Sequence, residues 1–296
     1  MQAVVASEVA LIKKNHHLVG RDAEISRLLL TLKSGRHVLL EGPVGVGKTV
    51  LAQAVAKSLN RKLVRVDGDS RYTEQKLLGS FDPSRVMKEG YSADTFLEGP
   101  LVQAMNTGAV LFINELNRMP EAVQNVLLPV LDEGVLILPH LGEVRAQKGF
   151  VLVATQNPRE FVATSLLSEA LLDRMEWILL SYPSMSDEIE IVSSQLRLDH
   201  AWSALISQAV EMVRATRAHP KLKRGASVRA ALSLVSLLRT MNESADKITD
   251  LDFLECAFLS IPTRVEMSAT AGSGDQYESQ MRSILKEIFD SVKKKS

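Results

Sequence analysis

Residues 42–49 of the chain are Gly42-Pro43-Val44-Gly45-Val46-Gly47-Lys48-Thr49, a full match to the pattern G-x-x-x-x-G-K-[ST]. An apolar run at 37–40 precedes them and predicts a buried strand, and a helical pattern follows from about Lys48 to Leu59. Glycines in such a turn let backbone N–H groups converge on an anion, and the helix N-terminus adds its positive end. The segment therefore predicts a phosphate-binding loop in which Lys48 contacts phosphate and the Thr49 hydroxyl binds Mg²⁺.

Length and composition restrict the class of protein. The chain has 296 residues, 46% apolar and 24% charged, so it can bury a substantial core. Lys plus Arg and Asp plus Glu each number 35, which argues against a nucleic-acid binder that relies on bulk positive charge. The single cysteine, Cys256, cannot form an internal disulfide, and no apolar run is long enough to span a membrane. We therefore expect a cytoplasmic protein.

The pattern of apolar runs predicts an α/β core followed by helices. Helical patterns separate further apolar runs, which is typical of a parallel sheet covered on both faces. Those strands are expected at 63–66, 110–113, 150–154 and 177–180. Glycine and proline break the pattern between 73 and 106, and one helix is expected near 122–131.

After residue 183 the pattern is helical alone. Helices are expected near 187–197, 201–217, 227–241 and 250–260. A last helix at 275–293 has one apolar face. We expect that face to pack on its own domain, with docking to a partner or a ring as the alternative.

Asn114 and Glu115 follow the predicted strand at 110–113. In a phosphate-loop protein, this strand ends in an acid that holds Mg²⁺ through water, and the next residue acts on the attacking water. Glu115 is well placed to orient and polarise that water. Asn114 stands where the acid is expected, and its neutral amide attracts Mg²⁺ less than a carboxylate does.

Three more polar residues are candidates for the site. Asn157 lies at the end of a predicted strand, at the edge of the sheet where α/β proteins bind ligands. We expect it to hydrogen-bond the γ-phosphate or the attacking water. The alternative is an asparagine that only forms a turn before proline. Arg174 ends a short helix, as either a surface residue or a contact to a neighbour's phosphate. Arg229 lies in a first helical turn begun by Ser227, against the dipole preference, so we expect it to face an anion.

The order and spacing of six motifs resemble the MoxR family of AAA+ ATPases. The motifs are L-V-G-R-D at 18–22, the loop at 42–49, N-E-L-N-R-M-P at 114–120, A-T-Q-N-P at 154–158, E-A-L-L-D-R-M at 169–175 and G-A-S-V-R-A at 225–230. The resemblance covers about residues 18–264. It implies a P-loop αβα core with a parallel sheet, which we place at 1–182, and a small all-helical lid at 183–264. The linker and C-terminal amphipathic helix at 265–296 lie outside the resemblance and are expected from the residue pattern alone.

The resemblance also implies site roles and ligands. The ligands are ATP and Mg²⁺. The catalytic set is Glu115, Lys48, Asn157 as sensor 1, Arg174 as arginine finger and Arg229 as sensor 2. The nucleotide-binding set is Val19 and Gly20 near the adenine, Gly42 through Val50, and Arg229. The metal set is Thr49 and, through water, Asn114.

Two segments of the core are expected to act on other proteins. The resemblance identifies 80–98 as an insert in a helix and 135–148 as a hairpin, both facing a ring pore or a partner. Tyr91, Leu141 and Gly142 are the expected client contacts. The family implies a hexameric ring, with a client protein or a von Willebrand A-domain protein as partner.

Three functions compete. We expect a working, slow ATPase that remodels, assembles or matures a protein complex. Asn114 leaves open a nucleotide-dependent switch or scaffold with little turnover. A DNA motor is less favoured, because the net charge is zero and the basic cluster at 214–224 is expected to be a solvated lid face.

Overall fold

The computed structural model describes residues 2–157, 167–268 and 275–294. The chain divides into two compact units, residues 1–181 and residues 182–296. Each unit has its own cluster of buried apolar side chains.

The first unit alternates strands and helices. Its helices are α1 (Gln2–His16), α2 (Asp22–Lys33), α3 (Lys48–Ser58), α4 (Glu74–Leu78), α5 (Pro83–Glu89), α6 (Pro100–Thr107), α7 (Glu121–Asn125), α8 (Leu127–Glu133) and α9 (Glu169–Leu172). Its strands are β1 (His37–Glu41), β2 (Leu63–Asp67), β3 (Gly79–Phe81), β4 (Phe96–Glu98), β5 (Val110–Asn114), β6 (Val135–Leu138), β7 (Gly142–Arg145), β8 (Val151–Gln156) and β9 (Met175–Leu179).

A parallel sheet forms the centre of the first unit, which confirms the predicted α/β fold. Within the described residues it has five strands in the order β2-β5-β8-β1-β9. The register pairs Glu41 with Gln156 and Asp67 with Asn114. Since the strands are parallel, these four residues lie at one edge of the sheet, where the strands reach their carboxyl ends.

The strands are apolar because helices cover the sheet on both faces. Leu111, Phe112 and Ile113 on β5 are fully buried, as are Val151 and Leu152 on β8. Side chains of successive strand residues point to opposite faces, so a run buried throughout marks a strand covered on both sides.

Residues 79–98 form an excursion that contacts the hairpin of β6 and β7. Strand β3 pairs antiparallel with β4 around α5. The ring of Tyr91 stacks on that of His140, in the turn between β6 and β7, with centroids 4.1 Å apart. The ring of Phe81 packs edge-on against Tyr91 at 4.9 Å. The two segments therefore share one aromatic cluster.

The single helix expected near 122–131 is wrong, because the structure has two helices, α7 and α8, separated at Val126. Pro129 explains the break. It has no N–H to donate to the carbonyl of Asn125, and its ring would clash with that carbonyl in a continuous helix.

The second unit is mainly helical. Its helices are α10 (Met185–Leu196), α11 (Ser203–Thr216), α12 (Val228–Met241), α13 (Asp250–Ser260) and α14 (Asp275–Lys293). It also contains β10 (Leu222–Arg224), paired antiparallel with β11 (Glu266–Met267). The expectation of an all-helical lid is therefore corrected. Strands of three and two residues are too short to show a period of two in sequence.

Helix α14 belongs to the core of the second unit. Its apolar face, from Met281 to Val292, is buried in the same cluster as residues of α10 to α13. The ring of Phe289 lies 5.4 Å from that of Phe253 on α13. Cys256 on α13 is also buried, and burial raises the pKa of its thiol.

Carboxylates pair with the basic cluster at 214–224. The expectation that this cluster is a solvated face is therefore wrong for Arg214 and Arg217. The carboxylates are Glu188, Glu266 and Glu287. The side chain of Arg217 is only 13% exposed. Across the described ranges, no helix combines the length and apolarity needed to cross a membrane.

His37 makes the stability of the first unit depend on pH. Its Nδ1 accepts a hydrogen bond from the N–H of Leu152 at 2.9 Å, which joins β1 to β8. Burial, aided by the charge of Arg36 and opposed by a hydrogen bond to the Leu131 backbone, lowers the pKa of His37 from 6.5 to about 4. As pH falls between these values, the unfolded chain binds a proton that the folded ring does not. The free energy of unfolding should fall by up to roughly 3 kcal/mol, while above pH 6.5 this contribution is constant.

Urea unfolding at several pH values between 4 and 6.5 measures the effect. The His37→Gln variant should lose less stability over this range than the native chain. The matched control is His200→Gln, which removes an exposed histidine and should keep the native dependence. Equal slopes for the native chain and His37→Gln would contradict the prediction.

Candidate functional site at the carboxyl edge of the sheet

The predicted phosphate-binding loop lies between β1 and α3. A Cβ built on Gly42 would lie 2.2 Å from the carbonyl oxygen of Leu180, so no larger residue fits there. Gly47 precedes α3 with φ of 96°, in the left-handed region that favours glycine. The two glycines let the chain turn tightly from the sheet edge into the helix, whose first N–H groups have no partner within the helix. Such groups bind phosphate.

Lys48, Thr49 and Val50 form the first turn of α3. The Lys48 Nζ donates to the carbonyl oxygens of Gly42 at 2.6 Å and Pro43 at 3.0 Å. The ammonium is thus beside the backbone that would receive phosphate. Thr49 is half-buried, whereas Val50 is 52% exposed.

Arg21 connects the loop to the predicted adenine-side segment at 19–20. Its Nη2 donates to the carbonyl oxygens of Val46 at 3.0 Å and Ser181 at 2.7 Å. Its Nη1 donates to Glu24 at 2.8 Å. Val46 is buried, and residues 44 and 45 are half-buried beside it. One side chain therefore holds three parts of the first unit together.

Asn114 is the centre of a hydrogen-bonded chain along the same edge. Its Nδ2 donates to Oδ1 of Asp67 on β2 at 3.0 Å, and its Oδ1 accepts from the Thr155 hydroxyl on β8 at 3.0 Å. The same Thr155 oxygen accepts from the N–H of Glu115 at 2.8 Å. An amide can do this because it both donates and accepts, whereas an ionised carboxylate only accepts.

Asp67 brings a negative charge next to Asn114. Arg65 donates to both of its oxygens, at 2.8 and 3.0 Å. The bond from Arg65, assisted by the bond from Asn114, holds the pKa of Asp67 below its ordinary value. Because the ionised carboxylate cannot donate, the amide nitrogen of Asn114 must face it, and the amide oxygen must face Thr155.

Glu115 has a backbone conformation that is uncommon for a residue other than glycine. Its φ and ψ are 56° and 52°. The bond to Thr155 helps to hold this conformation, and Gly68 packs so closely that a Cβ on it would lie 2.2 Å from the Glu115 carbonyl oxygen. The Oε2 of Glu115 lies 3.1 Å from Nε of Arg118, and the Glu115 side chain is 28% exposed. Water can therefore reach the carboxylate.

The edge suits a magnesium ion that arrives with a nucleotide. Mg²⁺ is usually held by phosphates, waters and one or two protein oxygens. The Thr49 hydroxyl is such an oxygen, whereas the amide of Asn114 is hydrogen-bonded at both ends. Of the residues described, no three His, Cys, Asp or Glu side chains are arranged to hold a metal by themselves.

Asn157 follows β8 at this edge and is 5% exposed. Glu41, the residue before the loop, accepts from Gln156 at 2.6 Å and from the indole of Trp177 at 3.1 Å. The end of β8 and the middle of β9 are thereby joined to the residue that precedes the loop. The last residue of the A-T-Q-N-P motif lies outside the described residues.

Arg174 lies at the opposite edge of the sheet from the loop. It precedes β9, whose first residue pairs with His37 at the start of β1. Its guanidinium donates to Ala170 at 2.7 Å and to Asp132 at 2.8 Å. It lines a polar cavity of about 570 Å³ together with Asp132 and Lys148. A five-residue strand spans about 16 Å, so Arg174 does not belong to the group around its own loop.

Arg229 belongs to the second unit. It is exposed in the first turn of α12, after Ser227. The structure therefore brings the loop, Asn114, Glu115 and Asn157 to one sheet edge, with Val19 and Gly20 tied to the loop through Arg21. It separates Arg174 from that edge.

Sequence reasoning missed three residues of this edge: Arg21, Asp67 and Thr155. Arg21 and Thr155 stood in recognised motifs without a role of their own. Asp67 directly follows the strand predicted at 63–66, and the rule that parallel strands end at one edge would have placed it near Asn114. The pairing itself required the register of β2 and β5.

The Asn114→Asp variant should be less stable than the native chain near neutral pH. The change places a second carboxylate beside Asp67 and removes the N–H donor to it. Because the Asp67 side chain is about half-exposed, the free energy of unfolding should fall by only about 1 kcal/mol. Urea unfolding measures the loss. Adding Asp67→Asn to the variant restores an amide–carboxylate pair and should recover the stability. Asp69→Asn alone is the control, and an Asn114→Asp variant as stable as the native chain would refute the prediction.

Comparison with known proteins agrees with this geometry. Residues 37–175 match the AAA domain (dynein-related subfamily). The chain is 30% identical to the gas vesicle ATPase GvpN1 of Halobacterium salinarum, over 90% of this chain and 76% of that protein. It is 29% identical to YeaC of Bacillus subtilis, over 94% and 92% of the two chains. A mutant of RuvB from Thermotoga maritima has the same fold, with a TM-score of 0.56, 20% identity and coverage of 82% and 70%. The chain belongs to the AAA ATPase family.

Proposed function

We propose that the protein is a MoxR-type, cytoplasmic ATPase that hydrolyses ATP with Mg²⁺ to remodel, assemble or mature a protein complex. One observation carries the proposal. The loop at 42–49 and the Glu115 carboxylate are at the same edge of one parallel sheet. A phosphate-binding loop and a carboxylate that can polarise water are the two groups that hydrolysis requires.

In the proposed reaction, the loop N–H groups and Lys48 bind the phosphates. Glu115 accepts a hydrogen bond from water and orients it toward the γ-phosphorus, and Asn157 bonds that water or the γ-phosphate. The water oxygen bonds to the γ-phosphorus as the bond from that phosphorus to the bridging β-phosphate oxygen breaks, and the water proton passes to Glu115, which gives ADP and phosphate. The Thr49 hydroxyl would hold Mg²⁺, which would neutralise phosphate charge. Arg229 adds positive charge to the same phosphates.

We propose that Arg174 acts on the nucleotide of a neighbouring subunit in a hexameric ring. The support is its place at the amino edge of the sheet, a strand length from its own loop. An arginine supplied by another subunit would complete the site only after assembly. The number six comes from the family resemblance.

The excursion at 79–98 and the hairpin of β6 and β7 are the proposed client surface. Met87 is 89% exposed and Ile137 is 78% exposed, so both segments carry apolar side chains in solvent. Tyr91 and Gly142 are exposed, and Leu141 is half-buried. A von Willebrand A-domain partner rests on resemblance alone. Because GvpN1 is named a gas vesicle ATPase, a gas vesicle component is one candidate client.

A nucleotide-dependent switch with little turnover is the second candidate, and Asn114 favours it. The amide supplies no negative charge for Mg²⁺, and its hydrogen bonds are made within the protein. We favour slow turnover, because Lys48, Thr49 and Glu115 retain their chemistry. A DNA motor is not favoured, since carboxylates pair with the basic cluster at 214–224.

Steady-state ATP hydrolysis with Mg²⁺ tests the function. The native chain should turn over, and Lys48→Ala should abolish both turnover and tight nucleotide binding. Glu115→Gln should keep binding of a fluorescent ATP analogue and lower kcat by about 10²- to 10⁴-fold, because the amide is a poor base. The exposed control Glu121→Gln should match the native chain. A single burst of ADP without steady turnover would support the switch, and native rates in Lys48→Ala would refute both.

Mixing two inactive variants tests the ring. Arg174→Ala lacks the proposed finger and Glu115→Gln lacks the proposed base, so each should be inactive alone. In a mixed ring, some interfaces pair an intact Glu115 with an intact Arg174, and activity should return. A mixture that stays inactive although the subunits co-assemble, as seen by light scattering, would show that Arg174 does not act between subunits.

A further inference from the structure

A buried carboxylate lies among the helices of the second unit. Glu188 on α10 is 1% exposed. Arg217, after α11, donates to its Oε1 at 2.6 Å and to its Oε2 at 3.3 Å. Arg214 donates to Oε2 at 3.0 Å. The carboxylate is therefore fully paired.

The two arginines also bind backbone and ring groups at the start of this unit. The guanidinium of Arg217 lies 4.0 Å from the ring centre of Tyr182, the first residue of the unit. Arg214 donates to the carbonyl oxygen of Pro183 at 3.0 Å. The segment at 182–183 is thereby fixed to the same ion cluster.

Arg217 extends this cluster to the beginning of α12. Its Nε donates to the carbonyl oxygen of Ala226 at 2.8 Å, and the Ala226 N–H donates to the Thr216 hydroxyl at 2.9 Å. The chain passes so near that a Cβ on Gly225 would lie 2.4 Å from Cα of Arg217. Both polar groups of the Ala226 backbone are thus held, three residues before Arg229.

Such a cluster is a costly way to gain stability. Each buried charge loses its hydration, and apolar packing of similar volume often serves stability as well or better. An ion cluster does fix the relative positions of the chain segments it bonds, since a planar guanidinium donates in defined directions and also stacks on aromatic rings. The contacts of Arg217 lead from Tyr182, the first residue of the unit, to Ala226, just before the helix that carries Arg229.

We propose that Arg217, supported by Glu188, is a positioning residue that sets the orientation of Arg229 toward the nucleotide and couples it to the segment at 182–183. This rests on the proposed function, because it takes Arg229 to act on bound ATP. Arg217 itself does not touch the nucleotide in this proposal.

The test is a double-mutant cycle between residues 217 and 229. Arg217→Lys is the main variant, because it keeps a charge beside Glu188 but loses the planar Nε bond to Ala226 and the stack on Tyr182. Arg217→Gln is the stronger variant. Affinity for a fluorescent ATP analogue, kcat, KM and the thermal midpoint are measured for each, alone and with Arg229→Ala.

Arg282 supplies a matched control. It donates to Glu278 and Glu255, each at 3.0 Å, and lies 3.8 Å from the ring centre of Phe258, so it too combines carboxylate and aromatic contacts. It lies on α14, and none of these contacts involves the start of α12. Arg282→Lys and Arg282→Gln should leave kcat and nucleotide affinity as in the native chain.

We expect Arg217→Lys to lower kcat or analogue affinity by about 10- to 100-fold with a thermal midpoint near the native one. In the Arg229→Ala background the same change should add no further loss. The inference would be overturned if the losses in kcat or affinity from the two single variants multiply in the double variant. It would also be overturned if these losses only follow a lowered thermal midpoint. If Arg229→Ala changes neither kcat nor affinity, the inference also fails. A native chain without turnover defeats the proposed hydrolysis, and the cycle is then decided on affinity.

Discussion

The parallel register of the central sheet is the constraint from which the candidate site follows. Parallel strands bring their carboxyl ends to one edge. The loop after β1, Asn114 at the end of β5 and Asn157 after β8 therefore lie at the same edge. The same register puts Arg174, before β9, at the other edge. One geometric rule thus groups the candidate residues at the edge of the loop and separates Arg174 from them.

Asp67, Asn114, Thr155 and the Glu115 backbone form one hydrogen-bonded chain at this edge. An amide at position 114 accepts from Thr155 and donates to Asp67, and Thr155 in turn fixes the backbone of Glu115. A carboxylate at 114 would suit Mg²⁺ better but would oppose Asp67. Asn114 therefore completes the hydrogen-bonded chain but supplies no charge for Mg²⁺. For this reason both a slow ATPase and a nucleotide-dependent switch are proposed.

Arginines that bind backbone carbonyls recur in both units. Arg21 joins the loop to Ser181, the last residue of the first unit. Arg217 joins Tyr182, the first residue of the second, to the start of α12. Guanidinium groups suit this task, because several donors in one plane can hold two or three chain segments in a fixed relation. The carbonyl partners of these arginines were not recognisable in the sequence, since every residue has a backbone carbonyl.

The sequence by itself determined the αβα core and the loop motif at 42–49, and it singled out Glu115, Asn157 and Arg229 as candidates, because apolar periodicity and short motifs are local properties. It could not determine the break at Val126, the ribbon of β10 and β11 or the partners of Asp67 and Glu188. The sequence predicted that the apolar face of α14 packs on its own domain, with a partner as the alternative, and the structure confirmed the first. The features that the sequence could not determine depend on which segments meet in space, and the tertiary structure decided them by pairing charges and burying apolar faces across residues far apart in the chain.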